Sequence, residues 1–540
     1  MLFQSILRSV LQSNFQCVII HPIKRRWGVF MTWNITCMLI MIVLYLLGMV
    51  LVGALLAKKN NSAGDFYLGG RQLGPYVTAM SAEASDMSSW LLMGVPGLAY
   101  FCGISDAAWT CIGLVVGTYL NWLIVARRLR NYSERLGAIT IPDFFRRRFH
   151  SDGKALQAIA AILIIVFFVP YTASGFAGCG KLFSSLLGVD YIPAMLISAL
   201  VIALYTTLGG FLAASITDFI QSLFMTVALL AVLIFGVTIA GGMDQVMENA
   251  RSVAGYLDMT KTANVVTGQS GPYSVLTIVS TLAWGLGYFG MPHILLRFMA
   301  ISDANKLKVS RRVGTGWVAV SMFVAIAIGV VGFAASRAGA IQGFESASAA
   351  ESVIVRLASF MSTHSVILAL LAGTILAGIL ASTMSTADSQ MLAAASSVSE
   401  DLVAGVFGAK LSDKKTMNIA RLTVLGIAVL GALFALDANS SVFQIVSFAW
   451  AGFGAAFGPV MLTSLFWKRT NRCGALAGMI VGGAMVFVWK FLVRPMGGLL
   501  DIYELLPAFL CALAAIFLVS LVTAKPDEAV VKEFEAVRRA

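Results

Sequence analysis

Runs of about twenty or more mostly apolar residues follow one another along the chain between short polar breaks, thirteen in all. A run of that length is what a helix needs to cross a hydrocarbon core about 30 Å thick. The runs cover approximately 33–57, 76–102, 107–126, 155–182, 190–213, 217–240, 275–297, 313–336, 365–397, 416–436, 441–467, 474–493 and 503–524. Lipid offers the backbone no hydrogen-bond partners, so segments this long span it as helices. Of the 540 residues, 59% are apolar and 12% charged; a soluble domain carries about 25% charged residues, and no soluble core of this size could hide so much apolar surface. The fold class is therefore an all-α polytopic membrane protein with about thirteen transmembrane helices. The run at 365–397 is longer than a bilayer needs, which implies tilt or a cytoplasmic extension.

A formal charge of +12 would ordinarily raise nucleic acid as a partner, but the placement of the basic residues points to a membrane surface instead. If the first span runs from outside to inside, 27 Lys and Arg fall in the cytoplasmic connections and tail, among them Arg71, Arg127, Arg128, Arg130, Arg311, Arg312, Lys414 and Lys468. The external side and external helix ends hold seven: Lys181, Arg251, Lys261, Arg337, Arg356, Lys490 and Arg494. That asymmetry predicts an external amino end and a cytoplasmic carboxyl end, with lipid as the partner and no nucleic acid.

Residues 1–30 oppose this rule, because Arg8, Lys24, Arg25 and Arg26 would lie outside. Their apolar stretch is too short to span, and Met31 directly precedes the first run. They are expected to be a non-native extension; a short basic amphipathic anchor is the alternative. The transmembrane domain is then 31–524 and the cytoplasmic tail 525–540. The longest polar stretches are too short for an independent core, which excludes a fused sensor kinase. The seven cysteines and four histidines are scattered, a pattern that signals neither a disulfide framework nor a zinc site and fits packing within helices.

Chemistry concentrates where the apolar runs are interrupted. The second opens Ser81-Ala82-Glu83-Ala84-Ser85-Asp86-Met87-Ser88-Ser89-Trp90, followed by Gly94, Pro96 and Gly97. An ionisable group at membrane depth costs on the order of 3 kcal/mol and normally faces a partner or a watery path. Asp86 is the stronger candidate for depth, whereas Glu83 could equally sit near the cytoplasmic surface. In the ninth run Ser382, Ser385 and Thr386 stand at i, i+3 and i+4 and so share one face. Hydroxyls and free carbonyls are hard oxygen ligands suited to a small hard cation, although such hydroxyls also bond back to the i−4 carbonyl or pack helix on helix. The seventh run, Trp284-Gly285-Leu286-Gly287-Tyr288-Phe289-Gly290-Met291-Pro292-His293, predicts an interrupted helix whose rings wall a compact ligand; an interfacial aromatic belt is the alternative. Trp450 to Pro459 is rich in glycine and suggests a flexible or closely packed gate.

These stretches, together with Tyr67-Leu68-Gly69-Gly70-Arg71 and Leu73-Gly74-Pro75, Trp90 to Gly94, Pro292-His293-Ile294 and Trp450 to Val460, are similar to the sodium:solute symporter family, and within it to members that carry proline. The likeness runs from Met31 to about residue 520. It implies a leucine-transporter-type core of two five-helix inverted repeats, spans two to six and seven to eleven, with one helix before and two after. It implies a sodium site made by the carbonyls of Ala84, Met87 and Ser382 and the hydroxyls of Ser385 and Thr386, with Asp86 needed for sodium dependence. It implies a proline pocket at Ser88, Trp90, Tyr171, Trp284 and Tyr288, with Pro292 nearby. Arg71 and Asp218 match polar residues linked to coupling at the cytoplasmic side, although Thr217 and Asp218 could simply cap the sixth helix. The family more often has alanine where Ser382 stands, which leaves a carbonyl ligand intact, and Asp388 differs from some members.

The function implied is secondary transport at the bacterial plasma membrane: sodium, the co-transported ion, drives import of L-proline by alternating access without covalent chemistry. A sodium symporter for another small solute such as pantothenate is the alternative. A channel would need a pore lined by repeated filter elements, and an enzyme a nucleophile with a base or a metal cluster; the sequence offers neither.

Overall fold

A computed structural model describes residues 33–57, 63–151, 154–409 and 412–539. The expected extension 1–30 lies outside the described residues, as do Lys58, Lys59 and Lys410. The apolar runs become α1 (Trp33–Ala57), α2 (Pro75–Ser89) with α3 (Val95–Cys102), α4 (Ile104–Leu120), α5 (Ala155–Leu187), α6 (Tyr191–Leu208), α7 (Phe211–Ile239), α8 (Val275–Leu282) with α9 (Pro292–Ala300), α10 (Leu307–Arg337), α11 (Val366–Ser396), α12 (Asp413–Phe434), α13 (Val442–Phe466), α14 (Arg472–Val488) and α15 (Leu505–Val522). Leu44, Leu47, Leu51 and Leu55 of α1 are exposed, the placement lipid favours and water does not.

Thirteen spans are not established. Ten helices among the described residues are long and apolar enough to cross a membrane, or eleven if the bent pair Val275–Gly290 and Pro292–Ala300 is one span. The two expected runs that fall short have physical reasons: 76–102 is broken and polar at its start, and the apolar helix Tyr191–Thr207 is too short to qualify. A two-stranded hairpin, Lys261–Ala263 against Ser270–Pro272, lies in the connection between α7 and α8 and qualifies the all-helical expectation. The 525–540 tail carries the helix Glu528–Arg539.

Two spans are broken. Between α2 and α3, Ser88 takes φ 47° and ψ −170° and the chain continues through a π-helical turn, Trp90–Gly94. Pro96 then sits in the first turn of α3, where its missing N–H costs nothing. The other break follows a 3₁₀ stretch, Ala283–Gly290, and turns at Met291 before Pro292 opens α9; the halves bend by 47°. The sequence assigns both interruptions to the right spans. They fall in the second and seventh segments, one at the start of each set of five, as inverted repeats require.

The basic connections meet at one end. Arg71, at φ 56°, donates to the carbonyls of Ser133, Ala138 and Met299 at 3.1, 2.7 and 2.6 Å, and Arg130 to that of Ile301 at 2.6 Å. Burial, then the charge of Arg130, pulls the Arg71 guanidinium down to about 10, still protonated at neutral pH. At the other end the Lys181 ammonium sits 2.6 Å from Glu351, whose oxygens also take the Val442 and Phe443 N–H groups at the start of α13.

Candidate functional site

The first break brings α2 against α11. The Ser385 hydroxyl donates to the Ala84 carbonyl at 2.9 Å across the two helices and to the Ser382 carbonyl at 3.2 Å; Thr386 donates to the same Ser382 carbonyl at 3.1 Å. Ala84, Ser382, Ser385 and Thr386 are buried and form one cluster of oxygen atoms, with no sulfur or imidazole among them. Such a donor set fits a small hard cation. Met87 stands beside it, but its carbonyl already accepts the Trp90 N–H. Asp86, 5% exposed, takes the Tyr288 hydroxyl on its carboxylate at 2.5 Å and the Tyr171 hydroxyl on its carbonyl at 3.1 Å. The carboxylate is thereby tied to the other broken span, and the Asp86 main chain to α5.

A narrow cavity of about 210 Å³ lies beside Asp86. Asp86, Met87, Trp90, Leu114, Tyr171, Trp284, Val446 and Trp450 line it. Of the residues expected in a solute pocket, Trp90, Tyr171 and Trp284 border this space, while Ser88, Tyr288 and Pro292 do not. Ser88 makes the backbone break and accepts the Trp90 N–H on its hydroxyl at 3.1 Å. Tyr288 stands behind Asp86 and meets Trp450 edge to face at 5.1 Å. Pro292 is buried at the start of α9.

Sequence reasoning missed Leu114, Val446 and the role of Trp450. The Trp450 indole donates to the Trp284 carbonyl at 2.7 Å, and Phe443 packs on Trp90 and Trp284 with centroids 5.8 and 5.4 Å apart. Gly287 makes this possible, because a Cβ there would collide with the Trp450 ring. The glycine pattern of the seventh run was the available signal, but its partner lies 163 positions away. Gly454 likewise admits Gly287, whose Cα would be 2.8 Å from an added Cβ; the Gly-rich stretch of α13 is closely packed helix.

The two residues matched to coupling lie apart. Arg71 is at the basic end, whereas Asp218 is fully buried in α7 and pairs with Arg297 of α9 at 3.0 Å. Ser81 donates to Asp218 at 2.7 Å and accepts from Arg297 at 3.0 Å, and Arg297 also reaches Ser389. The capping alternative is overturned: α7 begins at Phe211 behind Gly210, leaving Thr217 and Asp218 in its second turn, and Thr217 bonds back to the Ala213 and Ala214 carbonyls. Asp388 accepts from the Ser389 hydroxyl at 3.2 Å. Glu83 is buried within the protein.

The sodium:solute symporter family model matches residues 66–482. The osmoregulated proline transporter of Bacillus subtilis is 42% identical over 498 residues, 92% of this chain and 97% of that protein. The high-affinity proline transporter of the same organism is 43% identical over 488 residues, 90% and 98% of the two chains. A solved structure of a sodium-coupled sialic acid symporter, substrate-bound and outward-open, superposes with a TM-score of 0.75 over 92% of this chain and 99% of that one at 18% identity, a likeness of fold. The fold is thus the leucine-transporter type. With the matched region spanning both broken helices and the hydroxyl row of α11, this chain belongs to the sodium:solute symporter family.

Proposed function

We propose that the chain is a sodium-coupled symporter that imports L-proline across the bacterial plasma membrane by alternating access, with its amino end outside and its carboxyl end in the cytoplasm. The observation that carries the reading is the oxygen cluster of Ala84, Ser382, Ser385 and Thr386 set at the first helix break, next to a narrow pocket walled by Trp90, Tyr171 and Trp284. Relatives above 40% identity named as proline transporters support the choice of solute.

In this reading sodium is cargo held by the carbonyls of Ala84, Met87 and Ser382 and the hydroxyls of Ser385 and Thr386. The Ser385 hydroxyl, which now bridges α11 to the Ala84 carbonyl, turns its oxygen toward the ion, so the ion joins the same two helices more strongly than one hydrogen bond does. Asp86 supplies negative potential from the adjacent turn. Fixing α2 against α11 also fixes Trp90 and the Tyr171 contact to Asp86, which shape the solute pocket; sodium and proline therefore raise each other's affinity by one common factor. Asp218 and Arg297 hold α7 to α9, and Arg71 closes the basic end, so both act on the motion and not on the ligands.

Uptake of radiolabelled L-proline into proteoliposomes, with and without an inward sodium gradient, tests this. Accumulation only with the gradient is expected. Equal uptake without it, or none under either condition, would overturn the proposal.

A further inference from the structure

The Trp284 indole, a wall of the solute pocket, has four aromatic neighbours, and one of them belongs to neither broken span nor to α13. Trp90, Phe443 and Trp450 stand at centroid distances of 5.6, 5.4 and 6.4 Å. Tyr503 is the nearest and the most parallel, at 5.1 Å with 19° between the planes, an offset stack. It lies just before α15, on a segment that follows the two sets of five helices, and it does not itself border the cavity.

Three further contacts fix where that ring stands. The Tyr503 N–H donates to the Ser280 hydroxyl of α8 at 2.6 Å, about one helical turn before Trp284. The Tyr503 hydroxyl donates to the Ser447 carbonyl of α13 at 2.7 Å. The neighbouring Glu504, fully buried, takes Lys490 and Arg494 from the stretch after α14 at 3.1 Å each, and Arg494 also holds Asp501 at 2.9 Å. Shifting the 501–504 loop would unpair a buried carboxylate, which is costly.

Tyr503 is thus a fixed post between α8 and α13. The Trp284 main chain is held by the Trp450 indole at its carbonyl, but an indole turns about its own side-chain torsions, and the rings around it set its angle in the pocket. These contacts of Tyr503 fall on α8 and α13, whereas the oxygen cluster lies between α2 and α11. The residue therefore bears on the solute and not on the ion.

We propose that Tyr503 is a positioning residue for the solute: from a segment outside the two repeats it holds the Trp284 indole at the angle that walls the pocket, and so sets both the affinity for proline and the ring size accepted. The inference rests on the proposed function, in which Trp284 meets the solute. Without the Tyr503 ring the indole gains room to swing, and the pocket loses the shape it offers a five-membered ring.

Equilibrium binding of labelled L-proline to the purified full chain at saturating sodium tests this through a double-mutant cycle. Tyr503→Ala should lower proline affinity about three- to tenfold. Tyr503→Phe keeps the ring and loses only the Ser447 contact, so it should recover all but about twofold. In a Trp284→Ala background Tyr503→Ala should cause no further loss, because the ring it positions is gone. The preference for proline over its six-membered homologue pipecolate, measured by competition, should narrow in Tyr503→Ala, a ratio that general loosening of the fold would not move. The sodium concentration that half-maximally raises the melting temperature without proline should stay at the wild-type value. Losses that add in the double variant, an unaltered preference against pipecolate, or a sodium midpoint that shifts along with proline affinity would each overturn the inference. If Tyr503→Ala does not insert, Tyr503→Leu, which keeps bulk without a ring, is read by the same criteria. A wild type that binds no proline refutes the proposed function and this inference together, whereas a wild type that binds it, with Tyr503→Ala unchanged, refutes this inference alone.

Discussion

Thr386→Val and Ser385→Ala separate a ligand role from a structural one, because the two hydroxyls are used differently. Thr386 donates only to the Ser382 carbonyl four residues back in its own helix, whereas Ser385 also reaches the Ala84 carbonyl in α2. A back-bond of the Thr386 kind is worth little to a helix, so if that is its whole function, replacing the hydroxyl by the isosteric methyl should leave sodium binding alone. If the hydroxyl is an ion ligand, its loss removes a charge-assisted contact of about 1.5–3 kcal/mol, which is about ten- to a hundredfold in sodium affinity. Ser385→Ala forfeits the same contact and, in addition, about 1 kcal/mol of neutral hydrogen bond between α11 and α2. The assay is binding of labelled proline to purified protein across a sodium titration. Both variants should move the sodium midpoint upward by that factor. Proline binding without sodium should hardly change, while its enhancement by sodium shrinks, since the coupling is reciprocal. A midpoint unshifted in Thr386→Val and Ser385→Ala alike would refute the site, even if uptake fell.

Asp86→Asn keeps an oxygen for the Tyr288 hydroxyl but removes the charge, so sodium dependence should weaken while protein yield and folding hold; retention of the wild-type sodium midpoint would count against a role for Asp86. Trp284→Ala removes a ring that packs on Trp90, Phe443 and Tyr503, a loss of about 3 kcal/mol that should lower proline affinity at least tenfold in equilibrium binding, with Trp450 still held by the main-chain carbonyl. Gly287→Ala adds one methyl group but drives it into the Trp450 ring, so proline binding should fall as far as in Trp284→Ala. Asp218→Asn leaves Arg297 as an uncompensated buried charge, costing about 3–5 kcal/mol, and should shorten the half-life to thermal inactivation in detergent far more than Arg71→Ala, whose side chain is only partly buried.

What was legible in the sequence is what a short window can carry. Twenty-residue apolar runs mark spans because hydrophobic thickness is a local demand on length. Glycine and proline mark broken helices because they act on their own backbone, and Ser382, Ser385 and Thr386 share a face because the helical period places them there. The exact break could not be read in this way. Gly94 and Pro96 advertise it, yet the residue with positive φ is Ser88, several positions earlier, and no glycine or proline marks it. Partners across the fold are hidden for the same reason: nothing near Asp218 announces Arg297, 79 positions on, and nothing near Gly287 announces Trp450.

Ambiguity between function and packing was greatest where one residue type serves both. Glu83 and Asp86 read alike from composition, three positions apart in one polar stretch, but the fold gives them opposite company. Asp86 meets the solute cavity and ties the carboxylate to Tyr288 of the other broken span, so its charge can be felt by an ion and a solute that both bind at the break. Glu83 sits instead in a niche cut by Gly314 and closed by Thr118 and Trp122, whose donors converge on one of its oxygens. A helix turns about 100° per residue, so three positions leave these side chains within about 60° of each other, and it is the neighbours, α4 and α10 for one and α5 with Tyr288 for the other, that divide their chemistry. The division of roles between two acids on one helix is therefore a property of tertiary packing, which is why replacing Gly314, a residue of no chemistry, should perturb Glu83 and leave Asp86 untouched.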